Sequence, residues 1–455
     1  MIIFGLKHVR FDYTMKSLKI DFTDKEITPR GGISLFRQMI ERIDFANVLS
    51  NAQLPSQGSN RGYQPEQLIL NFLVGVWCGA NCFEHLEVTR HDEVIKEIFD
   101  WKRMPGSRAF QRYFNKFNLG VNQKVFTNLY QWFFSNLHFD NCTLDFDSTI
   151  LTRYGEQEGA QRGYNPRKPG RKSHHPIMAF VSDCRMIANF WLRPGDSFTT
   201  NNFLSFLEDT LTKLAGKNVG LIRADSGFYD KRILDYLETC RIKPIDYIIA
   251  AKFYTPIKRA LAYQRPWFKL GDGIEIAETT YQALDWDKSR RLIMVRQEID
   301  KRPKAAGKQL RLFEDEGIYK NYRYSCFITN LTFFAKMVYD MYRNRADAEN
   351  RIKEVKYDFG AESFNTKNFW ATEATLNFVM LAYNLMSLFR QAVLGTKVQH
   401  FMKTLRYKVF AIGAYLIKDG NSRILKLSLA MKRRDWFTGL WSSSQIMHWP
   451  FIVQT

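Results

Sequence analysis

Apolar positions recur along this chain with two different periods, and the switches between them mark out its segments. Up to about residue 135 the spacing is helical: Gln64–Gly79 (QPEQLILNFLVGVWCG), Glu84–Thr89, Val94–Phe99 and Ser107–Phe117 place apolar residues three and four apart. From Thr143 the period shortens to two. The stretch TLDFDSTI (Thr143–Ile150) puts Asp145 and Asp147 on one strand face and Leu144 and Phe146 on the other. Ile177–Ser182, Met186–Leu192 and Val219–Asp225 predict further strands, with a helix over Phe198–Leu214. Between residues 255 and 335 the segments IEIAETTYQAL, RLIMVRQEI and YRYSCFITNL alternate like short strands, and helical spacing then returns. The apolar run Ala371–Val393 contains Glu373, Asn377, Asn384 and Arg390, so it predicts a core helix rather than a membrane span. Met1–Phe11 lacks the ordered regions of a signal peptide.

These periods predict an α/β chain. A helical segment occupies residues 1–135, and an α/β core 136–254 and 336–395 is interrupted by a β-rich insertion, 255–335. A helical piece, 396–455, closes the chain.

Three acidic segments stand out. Carboxylates inside the alternating strand of Asp145 and Asp147 are costly unless paired or bound to a cation. VGLIRAD is an apolar strand ending in Asp225, which then meets Ser-Gly and a helix; α/β sheets build their sites at that end of a strand. The third segment reads Y-x2-R-x3-E-x6-K at Tyr342, Arg345, Glu349 and Lys356. On one helix these residues fall at roughly 0°, 300°, 340° and 320°, a single narrow face beside an apolar stripe of Met341, Ala348, Ile352, Val355 and Phe359. The same wheel puts Glu354 with Asp347, Asn350 and Asp358 on the solvent side, leaving Glu349 as the acid on the cationic face.

Taken singly, each acid also reads as a cap, a turn residue or a solvated charge. In the order strand Asp, strand-end Asp, helix Glu, they resemble the DDE transposases of bacterial insertion sequences. The resemblance is to the group carrying the Y-x2-R-x3-E-x6-K pattern, and LDFDSTILTRYGEQEGAQRGYNPRKPGRKSHHP, RADSGFY and AENRIKEVKYDFG look most like the insertion-sequence 1380 family. It runs from roughly residue 30 to roughly residue 430. It implies an RNase H-like fold, a mixed five-stranded sheet with flanking helices, preceded by a helical DNA-binding domain. It also implies Asp147, Asp225 and Glu349 as catalytic and metal-holding residues, with Asp145 as the rival to Asp147. Tyr342, Arg345 and Lys356 would then hold phosphates near the element end. Two divalent cations, Mg²⁺ or Mn²⁺, would activate the attacking oxygen and relieve charge on the leaving one, and three carboxylates without His or Cys suit such hard ions.

Charge adds to this picture. The chain has 455 residues and a formal net charge of +20, which implies a polyanionic partner. Arg162–His175 (RGYNPRKPGRKSHH) reads as an extended basic loop that could lie on a phosphate backbone through Arg167, Lys168, Arg171 and Lys172. Lys301–Arg311 reads as a second such loop and Lys432–Arg434 as a short third; a plain flexible linker is the alternative for either long loop. In SRAFQRYFNKF, Ser107 reads as the helix cap, and Arg108, Arg112 and Lys116 repeat every four residues. That face suits a DNA-recognition helix or the basic outside of a bundle.

Of 37 Phe, 21 Tyr and 10 Trp, most must be core; the resemblance implies that one exposed aromatic of the insertion would stack on a base, with Trp286 and Tyr281 as candidates that nothing else in the sequence singles out. Cys78 and Cys82 read as core thiols, and the scattered cysteines point to a reducing compartment. His174 and His175 are assigned to the basic loop. The expectation is a cytoplasmic, nucleoid-associated transposase acting on double-stranded DNA, as a homodimer in a synaptic complex. A stand-alone RNase H-like nuclease and a DNA-binding protein with decayed chemistry are the alternatives.

Overall fold

The computed structural model describes residues 20–239, 244–264, 266–299, 322–395, 400–420 and 422–453. The basic stretch Lys301–Arg311 lies outside them. A mixed sheet of nine strands spans the molecule. Its first strand to form part of the site, β2 (Asn141–Ser148), follows the two-residue β1 (Leu137–His138). Three short strands, β3 (Leu151–Thr152), β4 (Gln161–Arg162) and β5 (Lys172–His174), then make a small separate sheet. The stretch expected as an extended basic loop is therefore partly pinned as β-structure. The main sheet continues with β6 (Ile177–Val181), β7 (Met186–Trp191), β8 (Asn218–Ala224) and β9 (Asp246–Ala250). Next come β10 (Phe268–Gly271), β11 (Ile274–Tyr281), β12 (Arg290–Glu298) and β13 (Tyr322–Thr329).

Spatial order is β10-β11-β12-β13-β9-β8-β2-β6-β7. Strands β9, β8, β2, β6 and β7 supply the five-stranded mixed unit, with β8 parallel to both β2 and β9. The alternating segments of 255–335 do form strands, but as an antiparallel extension of that same sheet, joined where β13 pairs with β9. A helix, Thr255–Tyr263, opens this stretch.

The N-terminal helices include α1 (Ile33–Arg42), α2 (Phe45–Asn51), α3 (Pro65–Trp77), α4 (Leu86–Arg90), α5 (Glu93–Ile98), α6 (Ser107–Phe114) and α7 (Leu119–Ser135). One apolar core runs from these helices across residue 135 into the sheet. Its axis is the helix Phe369–Phe389, buried at every position from Ala371 on. Phe36 stacks on Phe389, Phe114 and Phe126 pack on Phe378, and Trp77 Nε1 donates to the Ala382 carbonyl at 3.1 Å.

The polar residues inside this helix have a structural task. β7 is the outer strand of the sheet, and an unpaired edge exposes backbone groups. Asn384 bonds both the N–H and the C=O of Ile187, at 2.7 and 2.8 Å, and Glu373 accepts from the Leu192 N–H at 3.1 Å. No helix among the described residues is long and apolar enough to cross a membrane.

Two expectations fail at the C-terminal end. The piece expected to be helical contains a hairpin, β14 (Ala414–Asp419) with β15 (Ser422–Leu427), ahead of the helix Met431–Ile446. Alternation on either side of Asp419-Gly420 was the available signal, since such pairs favour tight hairpin turns. Further, Tyr342 and Glu349 do not share one helix. Helix Ala335–Arg343 ends and helix Ala346–Tyr357 begins across Asn344–Arg345, where Arg345 N–H bonds Tyr342 O and Ala348 N–H bonds Arg345 O. These three-residue hydrogen bonds tighten the joint between the helices.

Candidate active site

The site is built from two neighbouring parallel strands and the helix that crosses their ends. Phe146 of β2 lies level with Ala224 of β8. The next residues, Asp147 and Asp225, therefore reach the carboxyl ends of the two strands side by side, about 5 Å apart along the hydrogen-bonding direction. Asp225 is half-buried and caps the turn Ser226–Phe228, its Oδ1 accepting from the Gly227 N–H at 2.8 Å. Only glycine fits there easily. A Cβ on Gly227 would lie 2.9 Å from Asp225 Oδ1 and 3.0 Å from Thr199 Oγ1.

Asp147 is buried. Burial pushes its carboxyl up to about 7; Arg345 pulls it back, while the charges of Asp225 and then Glu349 add to the rise. Asp225 and Glu349 are thus both in electrostatic reach of Asp147. Glu349, in the first turn of helix Ala346–Tyr357, is exposed and has no hydrogen-bond or ion-pair partner among the described residues.

Arg345 is the main cation of the site. Its Nη2 lies 2.9 Å from Asp147 Oδ2 and donates to the Phe146 carbonyl at 3.1 Å, while its buried Nε has no partner. Burial works against its charge, but Asp147 outweighs this and keeps the pKa above the ordinary guanidinium value. Tyr342 reaches the same spot from the preceding helix. Its hydroxyl points to the Ala224 carbonyl at 3.4 Å, its ring packs on Phe327 with centroids 4.3 Å apart, and burial raises it to about 12. Lys356 is buried and donates to the Ile150 carbonyl at 2.8 Å, with burial lowering its pKa.

Asp145, the rival first acid, is fully buried in a two-pronged pair with Arg223, at 2.7 and 2.8 Å. The same guanidinium donates to Ser182 Oγ and to the Met341 carbonyl, so this pair ties β2 and β8 to the helix that carries Tyr342. Arg223 was visible in LIRAD two residues before Asp225, and the shared strand face was the signal for its role.

Residues 12–447 match the family model described as Transposase DDE domain group 1. The chain belongs to this family. No curated protein matches the chain. Among solved structures it is similar to the piggyBac transposase synaptic complex with hairpin DNA, at 13% identity and a TM-score of 0.43, over 85% of this chain and 81% of that one.

Several expected positions of this DDE-family chain lie elsewhere than the helical wheel and the motif reading put them. Glu354 is buried, not solvated: Arg390 pairs with it and the Met402 N–H donates to it at 2.6 Å. His174 and His175 are buried, and His175 is in electrostatic reach of Asp225. Arg153 donates to His174 Nδ1 at 3.0 Å, and His175 Nδ1 bonds the Ser197 carbonyl at 2.8 Å. Trp286 is buried against Tyr229 and Tyr281 and offers no open face. Ser107 does not cap its helix; its N–H is held by Glu87 Oε1 at 2.6 Å. Cys82 is half-buried; Cys78, also half-buried, does pack against the core as expected.

The basic residues stay at the surface. Arg167 donates to the Tyr357 hydroxyl, Lys168 and Arg171 lie over the Tyr154 ring, and Lys172 pairs with Glu156. Arg108 and Arg112 are exposed on α6, which packs on the central helix.

For a divalent cation, the donor chemistry fits and the present arrangement is not yet closed. The carboxylates of Asp147, Asp225 and Glu349 are the hard oxygen ligands such ions prefer. Among the described residues, however, no group of three acidic, His or Cys side chains is drawn together tightly enough to hold an ion as it stands. Arg345 supplies the positive charge beside Asp147.

Proposed function

We propose that this DDE-family protein cuts DNA at the ends of its own insertion sequence and joins the freed 3′-hydroxyls to target DNA. Within the family we place it in the Y-x2-R-x3-E-x6-K group, near the insertion-sequence 1380 elements, with the RNase H-like core that group implies. The observation that supports the reading is that Asp147 and Asp225 lie side by side at the ends of neighbouring parallel strands, with Glu349, from a segment far along the chain, in electrostatic reach of Asp147. Those three would hold Mg²⁺ or Mn²⁺, which when bound activates the attacking oxygen and relieves charge on the leaving one.

The chain's own residues define the rest of the site. Tyr342 and Arg345 wall the acids on the helix side, and the turn of Ser226–Phe228 fixes Asp225. Arg167, Lys168, Arg171 and Lys172, with Arg108 and Arg112 on α6, would track phosphates of the double-stranded ends. Lys356, bound to the carbonyl of Ile150, would position the strand end that carries Asp147. A homodimer would bring two element ends together, in the nucleoid of the cytoplasm.

The test is a product assay. The protein, Mg²⁺, a linear duplex bearing the inverted repeats that flank its gene, and a supercoiled target plasmid are incubated together. Cut ends covalently joined to the plasmid are expected. Metal-dependent cutting with no joined product would make it a stand-alone nuclease instead.

A further inference from the structure

Two backbone amides hold the carboxylates of the strand ends, and both lean on one residue. The Ser148 N–H donates to Asp147 Oδ1 at 2.7 Å and the Gly227 N–H to Asp225 Oδ1 at 2.8 Å. Thr199 touches both supports. Its hydroxyl lies 3.4 Å from Ser148 Oγ, and a Cβ on Gly227 would lie 3.0 Å from its Oγ1 and its Cγ2. Side chains alternate along a strand, so Ser148 faces away from the side of β2 on which Arg345 grips Asp147. Thr199 therefore wedges the two strand ends from the opposite face.

No helix or strand holds that wedge. It sits in the loop between β7 and the helix Phe203–Lys213, and the clamp on the loop is buried. Arg193 Nη1 donates to the carbonyls of Phe198, Thr199 and Asn201 at 3.2, 3.1 and 3.1 Å, and its Nε to that of His175 at 2.9 Å. His175 closes the ring. Its N–H donates to the Arg193 carbonyl at 3.0 Å, and its Nδ1 bonds the Ser197 carbonyl at 2.8 Å. Burial lowers the Arg193 guanidinium to about 10, and no carboxylate among the described residues opposes that fall. Buried charges are ordinarily paired. A guanidinium kept in the interior and committed to the carbonyls of one loop has fixing that loop as its task.

We infer that Thr199 and Arg193 are positioning residues for the acids: Thr199 sets the separation of the strand ends that carry Asp147 and Asp225, and Arg193 holds Thr199 in place. This rests on the reading of the acids as holders of a divalent cation. Carboxylates that share an ion must keep a fixed spacing, and groups that orient ligands from behind typically change metal affinity ten- to a hundred-fold when removed. The wedge thus governs how tightly the ion is taken up, and not how the DNA is bound.

The experiment titrates Mn²⁺ into the full chain bound to a pre-cut duplex carrying the flanking inverted repeat, with free ion counted by electron paramagnetic resonance. Cutting of an intact end is followed over the same Mn²⁺ range. Thr199→Ala should raise the half-saturating Mn²⁺ concentration about ten-fold in both measurements, with cutting recovered at saturating ion and an unchanged circular dichroism spectrum. Thr199→Ser keeps the hydroxyl and should restore most of the wild-type value. Arg193→Lys lacks the planar fork and should shift half-saturation as Thr199→Ala does; should it fail to fold, Thr199→Ala decides alone. Wild-type half-saturation in Thr199→Ala would overturn the proposal. A rate lowered equally at every ion concentration would also overturn it, by marking a purely structural role. Neither result touches the reading of the acids, whereas absence of both Mn²⁺ binding and cutting in the wild type would overturn that reading.

Discussion

Arg345 and Asp147 form an ion pair whose two members have opposite interests. Burial pushes the Asp147 carboxyl up to about 7, and the guanidinium is the largest influence resisting that rise. Removing the cation leaves a buried carboxylate that must either stay charged without a partner or take up a proton. The sign follows from the raised value. Between the ordinary carboxylate range and about 7, the folded protein holds a proton that the unfolded chain has lost, so this group costs stability as pH rises through that window. Arg345→Gln should therefore lower stability by about 3–5 kcal/mol at pH 8 and by less at pH 6, measured by urea unfolding. Added Mn²⁺ should recover more stability in the variant than in the wild type, because the ion can take the place of the lost charge. An equal Mn²⁺ effect on both would contradict the idea that the site accepts a cation beside Asp147.

At the scale of elements, the sequence disclosed what depends on local period and hid what depends on distant partners. Strands β2, β6, β7 and β8 match their alternating segments within a residue or two, and the apolar run with four polar interruptions is the central helix. The helix at Phe198 begins late, at Phe203, because Arg193 gathers the carbonyls of Phe198, Thr199 and Asn201 and holds that stretch as a loop. Period alone cannot show such a clamp. Glu354 is the sharper case. A helical wheel knows only angle, and on angle Glu354 belongs to solvent; Arg390 and the Met402 N–H, from beyond the central helix, cover that face instead. Glu354→Ala should accordingly cost about 3–5 kcal/mol in urea unfolding. A loss below about 1 kcal/mol would restore the solvent-facing assignment. The three acids were legible because a strand end and a charged helix face leave local marks, whereas Arg345's grip on Asp147 spans segments whose meeting no local pattern records.

Across the whole molecule, the charge and the sheet work together. The antiparallel strands β10–β13 widen the sheet on the side of Asp225, and the N-terminal and C-terminal helices join behind it, Arg42 bonding the Met447 carbonyl and Ser444 bonding Gln38. The net charge of +20 predicts DNA binding that weakens steeply with salt. If Arg167 and Arg171 lie on phosphates, replacing both by Ala should reduce the slope of log affinity against log salt by about 2. An unaltered slope would remove that small β-sheet from the DNA path.

The most direct measurement compares cleavage of labelled element ends in Mg²⁺ by the wild type and by Asp147→Ala, Asp225→Ala and Glu349→Ala, with binding followed in parallel by gel shift. Asp147 and Asp225 end neighbouring strands and Glu349 lies within electrostatic reach of Asp147, so each variant should lose cutting while still shifting the DNA. Wild-type cutting by any of the three would contradict the account.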